Sequence, residues 1–230
     1  MEDSESTFRF DYPVEFIRWA LSVPGYNKEW HVGVRVSKTK KLYGFIAGTP
    51  VKLNINKHTV KSAEVNYLCV SKKLREKRLA PVLIKEVTRR INLSGVWQAV
   101  FTAGKVVPRP VATAIYYHRS VNPKKLIEAG FSSLSSGETM ASHVKRQKIL
   151  KDIEINVEGG YFREMLTKDI PQVYKLLKEY LKNFNLAPKY KQEEVAHMLL
   201  PKKDVIYTYV FESVDTKEVT DFVSFYRIPS

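Results

Sequence analysis

An apolar segment, a compact basic loop and a helical repeat follow one another directly in the middle of the chain. The apolar segment lies at 64–70, the basic residues lie within 72–78, and apolar residues then recur at helical spacing over 81–93. A strand that leads through a basic loop into a helix is a general way to bind phosphate, because the first amides of a helix are unpaired and its dipole favours an anion. This order therefore predicts an anion-binding loop in a domain that contains both strands and helices.

The positive charge of the chain is concentrated around this loop. The net charge is +14, and the whole excess lies in residues 31–150, since the segments on either side carry more acidic than basic residues. A nucleic-acid-binding surface would instead spread basic and exposed aromatic residues along one face. The distribution therefore favours an anion pocket and predicts no nucleic-acid partner.

The composition is typical of a folded intracellular protein. The chain has 230 residues, of which 44% are hydrophobic, and this fraction supports a packed core. Its single cysteine, Cys69, forms no internal disulfide, which fits a reducing compartment. No apolar run approaches the roughly 18 residues of a membrane-spanning helix. We therefore expect a soluble, cytoplasmic and monomeric protein with no metal site.

Hydrophobic spacing predicts a mixed α/β protein with two domains, 1–150 and 151–230. A polar stretch at 137–156 is interpreted as the linker, and Thr167 as the cap of the helix that follows it. The strand at 96–102 is expected to be buried on both faces. Helices are predicted at 14–21, 81–93, 122–129, 167–184 and 192–200. Strands are predicted at 31–36, 42–50, 51–55, 64–70, 96–102, 161–165, 205–213 and 219–226.

The segment EVNYLCVSKKLREKRLAPVLIKEVTRR, Glu64 to Arg90, closely resembles the acyl-CoA-binding segment of N-myristoyltransferase, the glycylpeptide N-tetradecanoyltransferase. Further blocks of resemblance occur in family order: FRFDYPVEFIRWAL, EWHVGVR, QAVFTAG, YYHRSVNPKKLIEAGF, TKDIPQVYKLL and VTDFVSFYRIPS. By these blocks the chain is identified as a member of that family. The resemblance implies an α+β, GNAT-like acyltransferase fold with one complete half, the acyl-CoA-binding and catalytic domain 1–150. A partial second half, 151–230, is expected to contribute to the peptide groove.

The resemblance also implies an activity. The family transfers myristoyl from myristoyl-CoA to the N-terminal glycine amine of a protein, by direct attack on the thioester and with no permanently bound cofactor. The backbone amides of Tyr67 and Leu68 match the oxyanion hole of the family, while Asn66 and Thr102 match the residues that hold the amine. The base of the family is the C-terminal carboxylate of the full chain, and the carboxylate of a chain ending at Ser230 is not assigned that role.

Two sets of binding residues follow from the same resemblance. Those implied for acyl-CoA are Tyr67, Leu68, Cys69, Val70, Arg75, Glu76, Lys77, Arg78, Leu79, Ala80 and Pro81. Those implied for the glycine-starting peptide are Phe8, Phe10, Tyr12, Gly104, Tyr116, His118, Phe131, Tyr226 and Ser230. His118 is assigned to substrate binding and not to proton transfer.

A second hypothesis is a truncated or inactive family member that binds acyl-CoA or glycine-starting peptides without turnover. This alternative stays open because the sequence departs from the family at several positions. The family usually has Ser where this chain has Glu76, and Phe where it has Tyr67. An acid beside the phosphate loop opposes a polyanion unless its side chain points outward.

Overall fold

The computed structural model describes residues 10–104, 107–148 and 157–229. These residues form two compact units. Of these residues, the larger unit comprises 10–102 and 157–229, and the smaller unit comprises 103–104 and 107–148. Within the described part of the chain, no helix is both long and apolar enough to span a membrane.

The first sheet of the larger unit has five strands in the order β1-β2-β3-β4, with β6 pairing on β2. All pairs are antiparallel except β3 with β4, whose connection passes through helix α2, as a parallel pair requires. The strands are β1 (His31–Arg35), β2 (Leu42–Ile55), β3 (His58–Val70), β4 (Gln98–Val100) and β6 (Leu186–Pro188).

Helix α2 (Leu79–Leu93) supplies the core of this sheet by burying Leu83, Val87 and Ile91. These residues lie on one face of the helix, and each contributes roughly 1.5–3 kcal/mol through burial. The helix lies close to β2 because glycine occupies two positions beneath it. A Cβ added at Gly44 would lie 3.0 Å from Leu83, and one at Gly48 would lie 3.2 Å from Ile91. The start of α2 is thereby held against the sheet.

The second sheet of the larger unit has the order β5-β7-β8, with both pairs antiparallel. Its strands are β5 (Gly160–Glu164), β7 (Ile206–Ser213) and β8 (Val219–Tyr226). Helices α5 (Ile170–Leu181) and α6 (Gln192–Leu199) cover one face. The core between them includes Met165, Val173 and Val210.

The N-terminal helix α1 (Val14–Leu21) joins this second sheet through Phe16, which packs with Val205 and Ile206. The indole of Trp19 also donates to the carbonyl of His197, at 2.9 Å. The smaller unit contains α3 (Pro123–Glu128) and α4 (Met140–Arg146). The predicted mixed α/β class is confirmed, and the domain boundary at residue 150 stays a prediction.

Several predicted elements are wrong in extent. The strands expected at 42–50 and 51–55 are one strand, β2, which continues through Pro50. Proline has no amide hydrogen to donate to a neighbouring strand. It is tolerated at position 50 because pairing of β2 with β1 ends at Ala47 and pairing of β2 with β6 begins at Leu53, so no strand on that edge needs a donor there. Strand β6 itself was not predicted.

Two other expectations about local structure are also wrong. The polar stretch at 137–156 contains α4, capped by Thr139, whose hydroxyl accepts the amide of Ser142. Thr167 does not cap α5, because a 3-10 turn intervenes and the carboxylate of Asp169 accepts the amide of Leu166 instead. In both places a side chain that the prediction did not consider bonds to a backbone amide at the start of the helical segment.

The strand at 96–102 was expected to be buried on both faces, and this is wrong. Strand β4 has only the residues Gln98–Val100, and the flanking Trp97 and Phe101 are 71% and 65% exposed. It is the last strand in the order of its sheet, and α2 packs mainly on β1, β2 and β3. The edge position therefore leaves its apolar neighbours uncovered.

Candidate functional site

The register between β2 and β3 is interrupted at the two residues predicted to supply the oxyanion hole. The pairs on either side are Ala47 with Asn66 and Phe45 with Cys69. Tyr67 and Leu68 therefore both lie opposite Ile46, which is the geometry of a β-bulge. Tyr67 also has a φ of 58°, a left-handed conformation that few non-glycine residues adopt. The strain and the broken ladder redirect the backbone at this point of the strand.

Strands β3 and β4 separate just before this bulge. Their last parallel pair joins Glu64 to Val100, although β3 continues to Val70. On β3, Asn66 lies two residues after this last pair, and Thr102 lies two residues after it in the segment that follows β4. The two residues predicted to hold the amine therefore both follow directly on the point where the strands separate.

The end of β3 leads into the start of α2 through a 3-10 turn, Lys72–Lys77. Arg78 follows in the left-handed conformation, with φ 53°, and is the N-cap residue of α2. The first turn of α2 contains no acidic residue and no side-chain cap, so its amides and its dipole remain available to an anion. The side chains of Lys77, Arg78 and Glu76 are exposed, while the side chain of Arg75 lies outside the described residues.

The other predicted acyl-CoA residues lie at the end of β3 and in the first turn of α2, and most of them are apolar. Cys69 is half-buried, and burial raises the pKa of its thiol, which keeps the thiol protonated. Val70 and Leu79 pack against the core beneath α2. Of the remaining two predicted residues, Ala80 is half-buried and Pro81 is exposed.

An aromatic cluster, which we define as Phe10, Tyr12, Phe16, Tyr67 and Tyr226, lies beside the bulge. The ring of Tyr12 meets that of Tyr67 edge-on, with centroids 5.8 Å apart, and stacks on Phe16 at 5.4 Å. Phe10 is 5.7 Å from Tyr12, and Phe16 is 5.6 Å from Tyr226. Burial raises the pKa of Tyr67 to about 12, so its phenol stays neutral. The structure thus brings three predicted peptide-binding residues together with Tyr67.

The other predicted peptide-binding residues are not among the described residues of the larger unit. Phe8 and Ser230 lie outside the described residues. The rest belong to the smaller unit and are exposed there: Gly104, Tyr116, His118 and Phe131. Their place in a peptide groove stays a prediction.

Sequence reasoning missed Glu64 and Phe16. The side chain of Asn66 donates to the Oε1 atom of Glu64 at 2.9 Å, and the signal for this pair is their spacing of two on one strand, which places both side chains on one face. Phe16 is 4% exposed and links Tyr12 to Tyr226. No cluster of three or more metal-ligating side chains occurs in the described part of the chain.

A cavity of 410 Å³ lies elsewhere in the larger unit and includes none of the predicted site residues. It is lined by residues of β2, α5 and β6 with their flanking loops, among them Asn54, Tyr174, Lys178, Lys189 and Tyr190.

Comparison with known protein families matches nearly the whole chain. The model of the myristoyl-CoA:protein N-myristoyltransferase N-terminal domain matches residues 1–114. The model of the corresponding C-terminal domain matches residues 128–230.

Curated relatives and solved structures agree with this match. The chain is 50% identical over 230 residues to glycylpeptide N-tetradecanoyltransferase 1 of Arabidopsis thaliana, covering 100% of this chain and 52% of the relative. It is 51% identical to the glycylpeptide N-tetradecanoyltransferase of Plasmodium falciparum (isolate 3D7), covering 55% of that relative. The chain thus spans about half the length of the curated relatives it matches.

A crystal structure of Saccharomyces cerevisiae N-myristoyltransferase with bound myristoyl-CoA superposes with a TM-score of 0.91 at 43% identity. The superposition covers 99% of this chain and 54% of the yeast chain. The predicted GNAT-like acyltransferase fold is confirmed by this similarity.

Proposed function

Because this chain belongs to the myristoyl-CoA:protein N-myristoyltransferase family, we propose that it transfers a myristoyl group from myristoyl-CoA to the N-terminal glycine amine of a protein. One observation carries the proposal: a bulge at Tyr67 and Leu68 lies directly before a basic, uncapped helix start. A thioester needs amide donors at its carbonyl, and coenzyme A needs cations and helix amides at its phosphates.

The phosphates of the coenzyme are held at the start of α2. Lys77 and Arg78 are exposed there, and among the described residues neither forms an ion pair with an acidic side chain. The first amides of α2 add unpaired donors. The part of the coenzyme that joins the phosphates to the thioester lies between this helix start and the bulge, beside Val70 and Leu79.

The chemistry takes place at the bulge. The neutral glycine amine attacks the thioester carbon, so that a C–N bond forms, the C–S bond breaks and the thiolate of coenzyme A leaves. The proton lost by the amine passes to this thiolate, so that the products are the amide and free coenzyme A. The amides of Tyr67 and Leu68 donate to the oxyanion that develops during attack. Asn66 and Thr102 hold the amine, and each lies two residues beyond the last pair between β3 and β4, Glu64 with Val100, which supports this assignment.

The peptide is bound beyond the amine by aromatic side chains of the larger unit, Phe10, Tyr12 and Tyr226. We place the protein in the cytoplasm as a monomer. Its single Cys69, whose thiol has a raised pKa, fits a reducing compartment.

A second candidate is a family member that binds acyl-CoA or a glycine-starting peptide without turnover. It is kept because the curated relatives extend well beyond the matched region. To decide between the two, the chain is incubated with myristoyl-CoA and a peptide that starts with glycine. Binding of acyl-CoA is measured by calorimetry, and release of free coenzyme A is measured with a thiol reagent.

Release that depends on the glycine peptide supports the transferase. Acyl-CoA binding with no such release supports the second candidate. A matched peptide with an acetylated N-terminus is the control, because it lacks the attacking amine.

A further inference from the structure

Glu64 forms a hydrogen bond that determines the orientation of the Asn66 amide. The Nδ2 atom of Asn66 lies 2.9 Å from the Oε1 atom of Glu64. An ionised carboxylate only accepts hydrogen bonds, so the Asn66 NH₂ group must face Glu64. The carbonyl oxygen Oδ1 of Asn66 is therefore directed away from the carboxylate.

The pair lies where β3 and β4 separate. Glu64 forms the last pair with Val100, and Asn66 is the next residue of β3 on the same face. Thr102 follows the end of β4 by two residues. Glu64 is exposed and forms no ion pair with a basic side chain in the part of the chain that the structure describes. Its carboxylate is thus bound to Asn66 and not used for surface charge pairing.

The orientation matters for an attacking amine. A neutral amine has N–H donors and one lone pair, and the lone pair must point at the thioester carbon. The Oδ1 atom of Asn66 accepts an N–H of the amine and leaves the lone pair available. An Asn66 amide turned by half a rotation would present its own N–H groups, which would bind the lone pair and block attack.

We propose that Glu64 is a positioning residue that holds Asn66 in the orientation required to accept a hydrogen bond from the substrate amine. The inference rests on the proposed function, since it assigns the amine to Asn66. Glu64 acts only through Asn66 and takes no proton.

Two substitutions of Glu64 distinguish a role of its hydrogen bond from a role of its charge. In Glu64→Gln, the side-chain carbonyl still accepts from Asn66, whereas in Glu64→Ala nothing does. We expect Glu64→Ala to lower kcat about tenfold with little change in the KM for myristoyl-CoA, while Glu64→Gln retains most of the wild-type kcat. Glu218→Ala, in the exposed turn between β7 and β8, is the matched control and should behave as wild type.

Adding Asn66→Ala to Glu64→Ala should lower kcat little further, because the two residues act as one unit. A kcat of Glu64→Ala equal to that of wild type would overturn the inference. Equal damage from Glu64→Gln and Glu64→Ala would also overturn it, since the charge and not the hydrogen bond would then matter.

A binding measurement keeps the test independent of turnover. The glycine-starting peptide is titrated into each variant in the presence of an unreactive thioether analogue of myristoyl-CoA. Glu64→Ala should weaken peptide binding about fivefold, the value of one hydrogen bond, and Glu64→Gln should not. A wild-type chain that binds the peptide but releases no coenzyme A would refute the proposed transferase while this comparison still decides the role of Glu64.

Discussion

The two sheets of the larger unit use charged side chains in opposite ways. In the second sheet, the guanidinium of Arg163 on β5 contacts Asp169 through two nitrogens, at 2.7 and 2.8 Å, and also binds Glu212. Asp169 is 1% exposed, and Tyr161 donates to the other oxygen of Glu212. Each charge in this network has a partner, and the network joins β5, β7 and the start of α5.

At the first sheet, basic side chains surround a helix start and remain exposed. Lys77 and Arg78 lack acidic partners among the described residues, and the first turn of α2 has no acidic residue. The contrast separates two roles of charge. A half-buried arginine paired with a buried carboxylate holds elements together, whereas exposed cations at an uncapped helix start are available to a ligand.

The largest expected effect comes from breaking the paired network. Arg163→Met leaves the carboxylate of Asp169 buried without its cation, and we expect a loss of about 3 kcal/mol in the free energy of unfolding. Urea denaturation measures this loss. Arg78→Met is the matched control and should change stability by less than about 0.5 kcal/mol. Equal losses for both variants would remove the distinction between the two regions.

The second-largest expected effect is a loss of myristoyl-CoA affinity, and it tests the exposed cations at the start of α2. Arg78→Glu should weaken myristoyl-CoA binding about tenfold or more, because it places a negative charge beside the phosphates. Calorimetry in low and moderate salt measures the affinity, and the difference should shrink as salt increases. Lys57→Glu changes the net charge equally in the turn at the other end of β3. An Arg78→Glu affinity equal to that of Lys57→Glu would show that the phosphate loop lies elsewhere.

A third prediction concerns the separation of β3 and β4. Thr102→Ala should lower turnover about tenfold while acyl-CoA affinity changes little, because the proposed function puts the hydroxyl at the amine and not at the coenzyme. Thr102→Ser keeps the hydroxyl and should retain most of the activity. Parallel loss of turnover and acyl-CoA affinity in Thr102→Ala would contradict its placement at the amine.

Acid should weaken the paired network selectively. The hydrogen bonds from Arg163 hold the pKa of Asp169 below its usual value. The stability that this shift provides is present above the unfolded pKa of about 4 and is lost as the pH falls through the lower folded-state pKa. The free energy of unfolding should therefore fall less between pH 6 and pH 3 in Asp169→Asn than in wild type. Urea midpoints across this range measure the difference, and identical slopes would argue against the shift.

The smallest expected effect is at Tyr67 itself. Its phenol stays neutral, with a pKa of about 12, and the group assigned to catalysis is its backbone amide. Tyr67→Phe should therefore change kcat by less than about twofold, because the ring still packs against Tyr12. A much larger loss in a steady-state assay would assign a role to the hydroxyl.

Local sequence signals predicted those elements whose formation depends on neighbouring residues. Helix α1 has the predicted bounds, and α2 begins two residues before its predicted start at residue 81. Where structure depends on distant partners, prediction failed. The end of β4 is exposed because no element of the described chain covers Phe101, and β6 exists because Leu53 lies beside it across the fold.

The candidate site also has features that neighbouring residues predict and features that depend on distant partners. Residue identities in the segment 64–90 predicted the phosphate loop, the oxyanion-hole amides and Asn66 on one strand–loop–helix unit. The bulge could not be read from them, because two residues opposing one is a property of the pairing between β2 and β3. The hydrogen bond between Glu64 and Asn66 was missed for a related reason: a spacing of two is common in strands and rarely indicates contact.

The sequence by itself determined the family, the mixed α/β class and the order of strand, basic loop and helix, because these depend on residue identity and on periodicity along the chain. Only the tertiary structure decided where the first sheet opens, which way Tyr67 directs its backbone and which aromatic rings gather beside it. The physical reason is that register, strand separation and ring packing are set by partners far apart in the chain. Tyr12, Tyr67 and Tyr226 become neighbours only when two sheets and an N-terminal helix have packed together.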